Sequence, residues 1–438
     1  MPLWRAAHAA TASAPVVSVL HCSAAKNSRR LASQLELLGI EVTTRRSSVD
    51  AVFAYCGDGK WEEFALRFDE LRRSNAIIIG GMPWRLALSK AEECQIAERH
   101  VTSGGRRYSL PCTSRVGSAL PGRTFVWRPL DRQGSRNDVA AGGSGMRFTT
   151  NNTLTAPGLL MGFNDEPLMQ HGTFRGRPEA TRTEVRLIGA VQWGPRRTVW
   201  LSHFGKTRCG SPVHAADHRS RWVLNPAPVI DSEGCADFLP EASGPGFQTA
   251  GGLDLMERIA RENGLDVARV WEHLDGAVTS YVLAHAHLVD RRVDASWWSP
   301  FNADIGMRSD GSAVVYEMHY APPYKSPGHN RAAIDTSIAL GAYGVLALPL
   351  LCVRRRGDER TERARSCAAR LGVRRIDPRA DAEGDSPRPW ERERALRLLR
   401  PSMHRIAAVY NVSRRGRGCA RHAGDGAKRP AAESARTV

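Results

Sequence analysis

The stretch FNADIGMRSDGSAVVYEMHYAPP, residues 301–323, contains two segments of alternating residues separated by Asp310-Gly311. An Asp-Gly pair between two alternating segments is a strong sequence signal for a two-residue β-hairpin turn. A turn at this pair places Asp304 directly opposite Glu317 on one face of the hairpin. The sequence therefore predicts a hairpin that brings together two carboxylates lying on separate strands.

The same register predicts an apolar face that packs on a core. Its cross-strand pairs are Met307 with Val314, Ile305 with Tyr316, and Ala303 with Met318. The other face contains the two carboxylates, and beside them Asn302 lies opposite His319. Like charges at a cross-strand pair repel each other. Two interpretations stay open: a hard cation such as Mg2+ binds between the carboxylates, or Arg308 neutralises both acids in a solvated hairpin.

The chain has 438 residues and a formal net charge of +17, most of which belongs to its C-terminal part. Residues 351–438 hold 23 Lys and Arg against 11 Asp and Glu and contain few large apolar residues. This composition predicts a basic, largely disordered tail. The tail could contact nucleic acid or an acidic protein, or it could have no task. Nucleic-acid binding is the weaker alternative, because aromatic residues are not interleaved with the basic ones.

The pattern of cysteines indicates the redox state of the cellular compartment. None of the nine forms a C-x-x-C pair, and their number is odd, which indicates free thiols in a reducing compartment. No apolar run reaches the roughly 20 residues needed to span a membrane. We therefore expect a cytoplasmic protein without a membrane partner. An organelle leader is the alternative, since the first 35 residues contain no Asp or Glu.

The order of predicted elements favours an α/β (α+β) fold with three parts. Residues 1–106 alternate strand and helix patterns, which is typical of a parallel sheet. Ser89 is a plausible helix N-cap within this part. Residues 107–350 contain a strand, a Gly-rich loop, a strand pair, an amphipathic helix and the hairpin. Residues 351–438 form the basic tail.

Five short segments of the chain occur in a distinctive order. They are FVWRPL (125–130), AGGSGMRF (141–148), TEVRLIGAV (183–191), HFGKTR (203–208) and the pattern Asp304…Glu317-x-His319. Together they resemble the tubulin-tyrosine ligase-like family of the ATP-grasp superfamily, over roughly residues 75–348. The resemblance implies an ATP-grasp-like fold with an N-terminal α/β subdomain.

The resemblance also implies a role for each matching residue. Phosphates of ATP would be bound by Arg128, at the position of a family lysine, and by a glycine loop that contains Gly142, Gly143 and Gly145. Glu184 stands at the position of the acid of a nucleotide-contacting strand. Arg186 and Arg208 would hold the carboxylate of the acceptor or of the amino acid. Mg2+ would be bound by Asp304, Glu317 and His319.

The activity implied by the resemblance is an ATP-dependent amide ligase. It would join a free amino acid to an acidic, tubulin-like protein tail through an acylphosphate, on or near the cytoskeleton. Two residues depart from the family pattern. Arg128 replaces a lysine, and these cations are not interchangeable. His319 replaces an oxygen ligand with an imidazole, which suits Mg2+ poorly. A degenerate relative that binds nucleotide or acidic tails without catalysis is therefore an open alternative.

Overall fold

The structure is a computed structural model of the chain. It describes residues 16–21, 41–43, 49–55, 76–81, 88–129, 147–174, 177–194, 197–209, 250–319, 341, 344–350, 352–353 and 362–376. The predicted α+β class is confirmed, since the described residues form two sheets with helices packed on the larger one. Among the helices in these ranges, none is long and apolar enough to cross a membrane.

The strands and helices are numbered in chain order. The strands are β1 (Val16–His21), β2 (Glu41–Thr43), β3 (Ala51–Tyr55), β4 (Ile77–Gly80), β5 (Cys112–Thr113), β6 (Phe125–Arg128), β7 (Arg147–Thr149), β8 (Leu159–Gly162), β9 (Met169–Phe174), β10 (Arg177–Gln192), β11 (Thr198–Cys209), β12 (Ala250–Gly251), β13 (Trp297–Met307), β14 (Ala313–His319) and β15 (Val373–Ile376). The α-helices with described bounds are α1 (Lys90–Thr102), α2 (Leu253–Glu262), α3 (Val267–His285) and α4 (Glu362–Arg370).

The larger sheet has eleven strands among the described residues and contains β13 near its middle. Its order is β12-β11-β10-β13-β4-β3-β1-β2, with β14 also paired to β13, β15 to β11 and β9 to β10. Strands β1 to β4 are parallel to their neighbours, as the first part of the sequence predicts. Strands β10, β11, β13 and β14 are antiparallel. A smaller antiparallel sheet has the order β5-β8-β6-β7.

Each face of the larger sheet is covered by a hydrophobic core. Helices α2 and α3 pack on one face, where Leu253, Trp271 and Val278 meet apolar side chains of β10, β13 and β14. The helical residues 344–350 and α4 belong to the core on the other face. Alternation along each strand thus gives both faces apolar residues near the sheet centre. The division of the chain at residues 106 and 350 stays a prediction.

The basic segment after residue 350 is only partly as expected. Residues 362–376 form α4 and β15, and β15 pairs with β11 at the sheet edge. The prediction of a largely disordered tail from residue 351 is therefore wrong for this stretch. The physical reason is that four apolar residues of this stretch are buried, despite the high charge around them. They belong to the core on the face opposite α2 and α3, which we call the second core: Ala364, Ala368, Leu371 and Val373. Residues 377–438 lie outside the described residues.

Two disulfides join cysteines within the part of the chain that the structure describes. Cys94 of α1 is bonded to Cys112 of β5, with their Cα atoms 5.9 Å apart. Cys352 is bonded to Cys367 of α4, with their Cα atoms 5.5 Å apart. The expectation of free thiols is wrong for these four residues. Sequence separations of 18 and 15 residues gave no sign of the pairing, because the fold and not the spacing brings the sulfurs together.

The end of α3 gives the fold a predicted sensitivity to acid. His285 is fully buried, and its ring stacks on Tyr281 with the centroids 4.0 Å apart. Burial lowers the pKa of His285 to about 4, whereas an unfolded histidine titrates near 6.5. As pH falls, the unfolded chain binds a proton on this histidine before the folded chain does. The free energy of unfolding therefore decreases between about pH 6.5 and pH 4, by up to about 3 kcal/mol.

Urea unfolding of the His285→Phe variant at pH 7 and pH 4.5 tests this prediction. Phenylalanine keeps a buried aromatic ring but cannot be protonated, so the difference in unfolding free energy between the two pH values should shrink. The exposed His171 of β9 provides the matched control, and His171→Gln should keep the wild-type difference. An unchanged difference in His285→Phe would contradict the assignment.

Candidate functional site

A row of four charged residues crosses the larger sheet from strand to strand. Lys206 of β11 lies opposite Arg186 of β10, and Arg186 lies opposite Asp304 of β13. Asp304 in turn lies opposite Glu317 of β14, as the sequence predicts. Because opposed residues of neighbouring strands share a face, two cationic residues and two acidic ones are brought side by side.

The centre of this row is a buried ion pair. Nε of Arg186 donates to Oδ1 of Asp304 at 2.6 Å, and Nη2 of Arg186 donates to Oδ2 at 2.7 Å. Only 7% of Arg186 and 8% of Asp304 is exposed. A two-point contact of this kind fixes the orientation of both groups. Arg186, expected from the resemblance to hold a substrate carboxylate, instead has two of its donors on Asp304.

Asp304, Glu317 and His319 form a group that could hold a metal ion. One ligand atom of each lies within 4.8 Å of those of the other two. Two ligands on opposite sides of an ion, each bound at 2.0–2.6 Å, are about 4–5 Å apart. The group therefore fits a single divalent cation. Asn302, opposite His319 as predicted, adds a buried amide beside it.

The charge of Glu317 is stabilised by its neighbours. Its Oε2 lies 3.2 Å from Nε2 of His319. That hydrogen bond is the main reason why the pKa of Glu317 is lowered, and the positive charge of Lys90 also lowers it. Burial and the charge of Asp304 oppose this effect on the pKa of Glu317. Glu317 is therefore kept as a carboxylate, the form in which it can bind a cation.

The hairpin turn differs from the prediction by one residue. The loop contains three residues, Ser309, Asp310 and Gly311, and is closed by a hydrogen bond of 2.9 Å from the Arg308 amide to the Ser312 carbonyl. Gly311 has φ of +80°, the left-handed conformation that this loop needs at its third position. The predicted turn at Asp310-Gly311 is therefore wrong.

A β-bulge further along the hairpin restores the predicted pairing. Near the turn Met307 faces Ala313 and Ile305 faces Val315, so the predicted partners Val314 and Tyr316 are wrong. The register then shifts between Asp304 and Ile305, which makes Tyr316 the extra residue of β14. Beyond the bulge the predicted pairs of Ala303, Asp304 and Asn302 are confirmed.

The bulge is accommodated by a glycine on the neighbouring strand. The Tyr316 ring lies over Gly306, where an added Cβ would meet the phenol oxygen at 2.1 Å. Nδ2 of Asn164 donates to the Met307 carbonyl at 3.1 Å and to the Tyr316 hydroxyl at 3.5 Å. Burial, followed by the charge of Glu184, raises the pKa of Tyr316. The phenol of Tyr316 therefore stays neutral.

Two cations from other elements lie within electrostatic range of Glu317. Burial lowers the pKa of Arg128, at the end of β6, while the charges of Glu93 and Glu317 act to raise it. Lys90, the first residue of α1, is held by Glu93, with Nζ 2.7 Å from Oε2. The predicted N-cap Ser89 is confirmed, and with Glu92 it forms a capping box that fixes this end of α1.

Lys90 and Lys206 are residues that the sequence reasoning missed. The position of Lys90 could have indicated a functional role. A lysine in the first turn of a helix interacts unfavourably with the helix dipole, so helix stability does not explain why it is there. The position of Lys206 could have indicated one as well, since it precedes Arg208 by two residues and so shares its face of β11. The backbone of Arg208 lies opposite Glu184. Glu184 is buried, and its nucleotide contact stays a prediction.

The predicted glycine loop cannot be placed against this site. Gly142, Gly143 and Gly145 lie outside the described residues, and so does the side chain of Arg208. Their roles stay predictions. Strands β6 and β7, which flank the loop in the sequence, pair with each other between residues 125–127 and 147–149. The two ends of the loop are therefore adjacent, with Arg128 at one of them.

Solved structures match this chain. No protein-family profile matches the chain, and no curated protein matches it. A matching structure is the C-terminal domain of K. lactis Pby1, described as an ATP-grasp enzyme that interacts with the mRNA decapping enzyme Dcp2. The match has a TM-score of 0.44 and 13% identity, and covers 76% of this chain and 92% of that domain. At these values it carries no argument about activity.

Proposed function

We propose that this chain is an ATP-dependent carboxylate–amine ligase that resembles the tubulin-tyrosine ligase-like enzymes. The observation that carries the proposal is the group of Asp304, Glu317 and His319, held by the Arg186 ion pair on adjacent strands. Lys90 and Arg128 act on Glu317 through their charges. Acidic ligands with cations around them are the arrangement that phosphoryl transfer from ATP requires.

The proposed reaction has two steps. A carboxylate of the acceptor attacks the γ-phosphorus of ATP, which forms an acylphosphate and releases ADP. The amine of the second substrate, after losing a proton, then attacks the acyl carbon and releases phosphate as the amide bond forms. Such a reaction needs no covalent enzyme nucleophile, and catalysis comes from positioning and from neutralising charge.

The residues of the site support separate tasks in this reaction. Lys90 and Arg128 would bind phosphate oxygens, where their charges offset the charge of the triphosphate. Arg186 acts as a positioning residue, because it fixes the Asp304 carboxylate. Lys206 and Arg208 would bind the acceptor carboxylate at the cationic end of the row. Asp304, Glu317 and His319 would hold a divalent cation, whose charge would help to neutralise the transferred phosphoryl group.

The acceptor in this proposal is an acidic protein tail, as in the family that the sequence resembles. A row with cationic residues at one end suits carboxylates, which supports this class of substrate. The amino acid is left open. An enzyme with this substrate would act in the cytoplasm, on or near microtubules.

Release of ADP provides the test of the proposed function. We expect purified protein with ATP and Mg2+ or Mn2+ to release ADP when it receives an acidic peptide and an amino acid. Glu317→Gln should lower the rate about 100-fold or more, because it removes one charged ligand while keeping the shape of the side chain. The matched control Glu262→Gln, on the exposed end of α2, should leave the rate unchanged.

The alternative is a relative that binds nucleotide without turning it over. The replacement of a family lysine by Arg128 favours this second candidate, since arginine cannot act as the same compact point charge. Binding of a fluorescent ATP analogue separates the two candidates. Nucleotide binding without ADP release, across glutamate-rich peptides and all twenty amino acids, would overturn the ligase proposal and support the binding protein.

A further inference from the structure

We propose that the Asp304–Glu317–His319 group binds a first-row transition-metal dication, such as Mn2+ or Co2+, in preference to Mg2+. The inference rests on the proposed function, which requires a divalent cation at this place, and it names the class of that cation. It is carried by the chemistry of the ligands and by the charges that surround them.

The first argument is the type of the ligand atoms. The group offers two carboxylates and one imidazole, with the ligand atoms within 4.8 Å of one another. Mg2+ prefers oxygen ligands in near-ideal octahedral geometry and loses its water reluctantly. Imidazole nitrogen suits transition metals, and affinity for a site with nitrogen ligands rises from Mn2+ through Co2+ and beyond. A metal site that includes the His319 imidazole should therefore bind transition-metal ions more tightly than Mg2+.

The second argument is the balance of charge. The Arg186 guanidinium offsets the charge of Asp304 through hydrogen bonds of 2.6 and 2.7 Å. Lys90 adds a positive charge that acts on Glu317. A hard ion bound mainly by electrostatic attraction is weakened by these cations. A bond to nitrogen depends less on net charge, so the imidazole contributes more of the affinity here than it would beside two uncompensated carboxylates.

A carboxylate that pairs with an arginine can also bind a cation. Its two oxygens carry about four lone-pair positions, so hydrogen bonds and a metal bond can share one carboxylate. Nε2 of His319 lies 3.2 Å from Oε2 of Glu317, so the imidazole and this carboxylate lie beside each other. About a third of the His319 side chain is exposed, at 38%, so an ion can reach it from solvent.

Direct metal binding tests the inference without using turnover. The full-length protein, first treated with a chelator, is titrated with Mn2+ while the electron paramagnetic resonance signal of free Mn2+ is recorded. Mg2+ is then added as a competitor. We expect wild-type protein to bind Mn2+ at least about tenfold more tightly than Mg2+, the scale on which ligand changes alter affinity. Binding of Co2+ should give the visible absorption bands of a nitrogen-containing site.

The His319→Asn variant identifies the ligand responsible. It should lose about tenfold or more of its Mn2+ affinity, keep its Mg2+ affinity and so lose the preference. His171→Asn, at an exposed position of β9, is the matched control and should behave as wild type. Circular dichroism and urea unfolding confirm that both variants are folded.

Two results would overturn the inference: equal affinity of wild type for Mn2+ and Mg2+, or an unchanged preference in His319→Asn. Failure of this inference is distinguishable from failure of the ligase proposal. ADP release with Mg2+ alone, without a preference for Mn2+, would leave the ligase and remove the metal preference. Tight Mn2+ binding that depends on His319, without ADP release, would leave the metal site and remove the ligase.

Discussion

Ending the chain after residue 361 is expected to abolish folding, whereas ending it after residue 376 should preserve the fold. The two shortened proteins differ by α4 and β15. These elements bury Leu371 and Val373 in the second core and pair with residues 199–202 of β11. Each large apolar side chain contributes about 1.5–3 kcal/mol when fully buried.

An ion pair adds to the expected loss. Arg374 of β15 lies over the Trp271 ring, 4.7 Å from its centroid, and forms an ion pair with Asp275 of α3. Burial raises the pKa of Asp275, and Arg374 acts in the opposite direction. Removing one partner of a buried pair costs about 3–5 kcal/mol. Together with the lost core this approaches the 5–15 kcal/mol that usually separates folded from unfolded chains.

Circular dichroism and urea unfolding of the two shortened proteins provide the measurement. The protein ending at residue 376 is the control, because it lacks the rest of the basic segment but keeps α4 and β15. Its urea midpoint should match that of the full chain. A protein ending at residue 361 that unfolds at the same midpoint would show that these elements do not stabilise the fold.

Removing the Arg186 guanidinium is expected to cost about 3–5 kcal/mol of unfolding free energy, because Asp304 would be left buried beside Glu317 without its counter-charge. Arg186→Met keeps most of the side-chain volume while deleting the charge. The double variant Arg186→Met/Asp304→Leu should recover much of the loss, since replacing both partners of a buried pair with apolar groups is often neutral or stabilising. Both proteins should also fail to release ADP in the assay of the proposed function, because each has lost the positioned Asp304 carboxylate.

Urea unfolding of the wild type, the two single variants and the double variant gives the coupling energy of the pair. An exposed pair supplies the control. Nη2 of Arg261 lies 3.2 Å from Oε2 of Glu257, and 60% of the Arg261 side chain is exposed. Arg261→Met should change stability by at most about 0.5 kcal/mol. A similarly small change for Arg186→Met would show that the buried pair does not hold the site together.

The pairing of Asp304 with Glu317 was predicted correctly, although the predicted turn was wrong. The loop has one residue more than the predicted turn, and the bulge at Tyr316 has one residue more on β14, so the two deviations cancel at Asp304 and Glu317. The alternation of residues marks the strands, but a bulge depends on contacts from elsewhere. Here Tyr316 packs over Gly306 and lies near Asn164, which is 152 residues away along the chain.

The face of the sheet on which a side chain lies could be predicted from the sequence, whereas the residue that it contacts could not. Alternation along β10 and β13 indicates which residues share a face, but only the register shows that Arg186 lies opposite Asp304. The composition of β15 led to a wrong prediction, because its two arginines suggest a segment exposed to solvent. One of them is only 9% exposed, because Trp271 and Asp275 provide a site for Arg374 that local sequence does not reveal.

The paired irregularities of the hairpin constrain how this gene can change in length. Deleting a single codon in the loop would move every side chain beyond it to the opposite surface of β14, and Glu317 would then point into the helices. A second deletion at the bulge would undo that inversion. Insertions and deletions here should therefore survive selection in pairs, and an alignment of homologues that places one gap in this hairpin should be examined for its compensating partner.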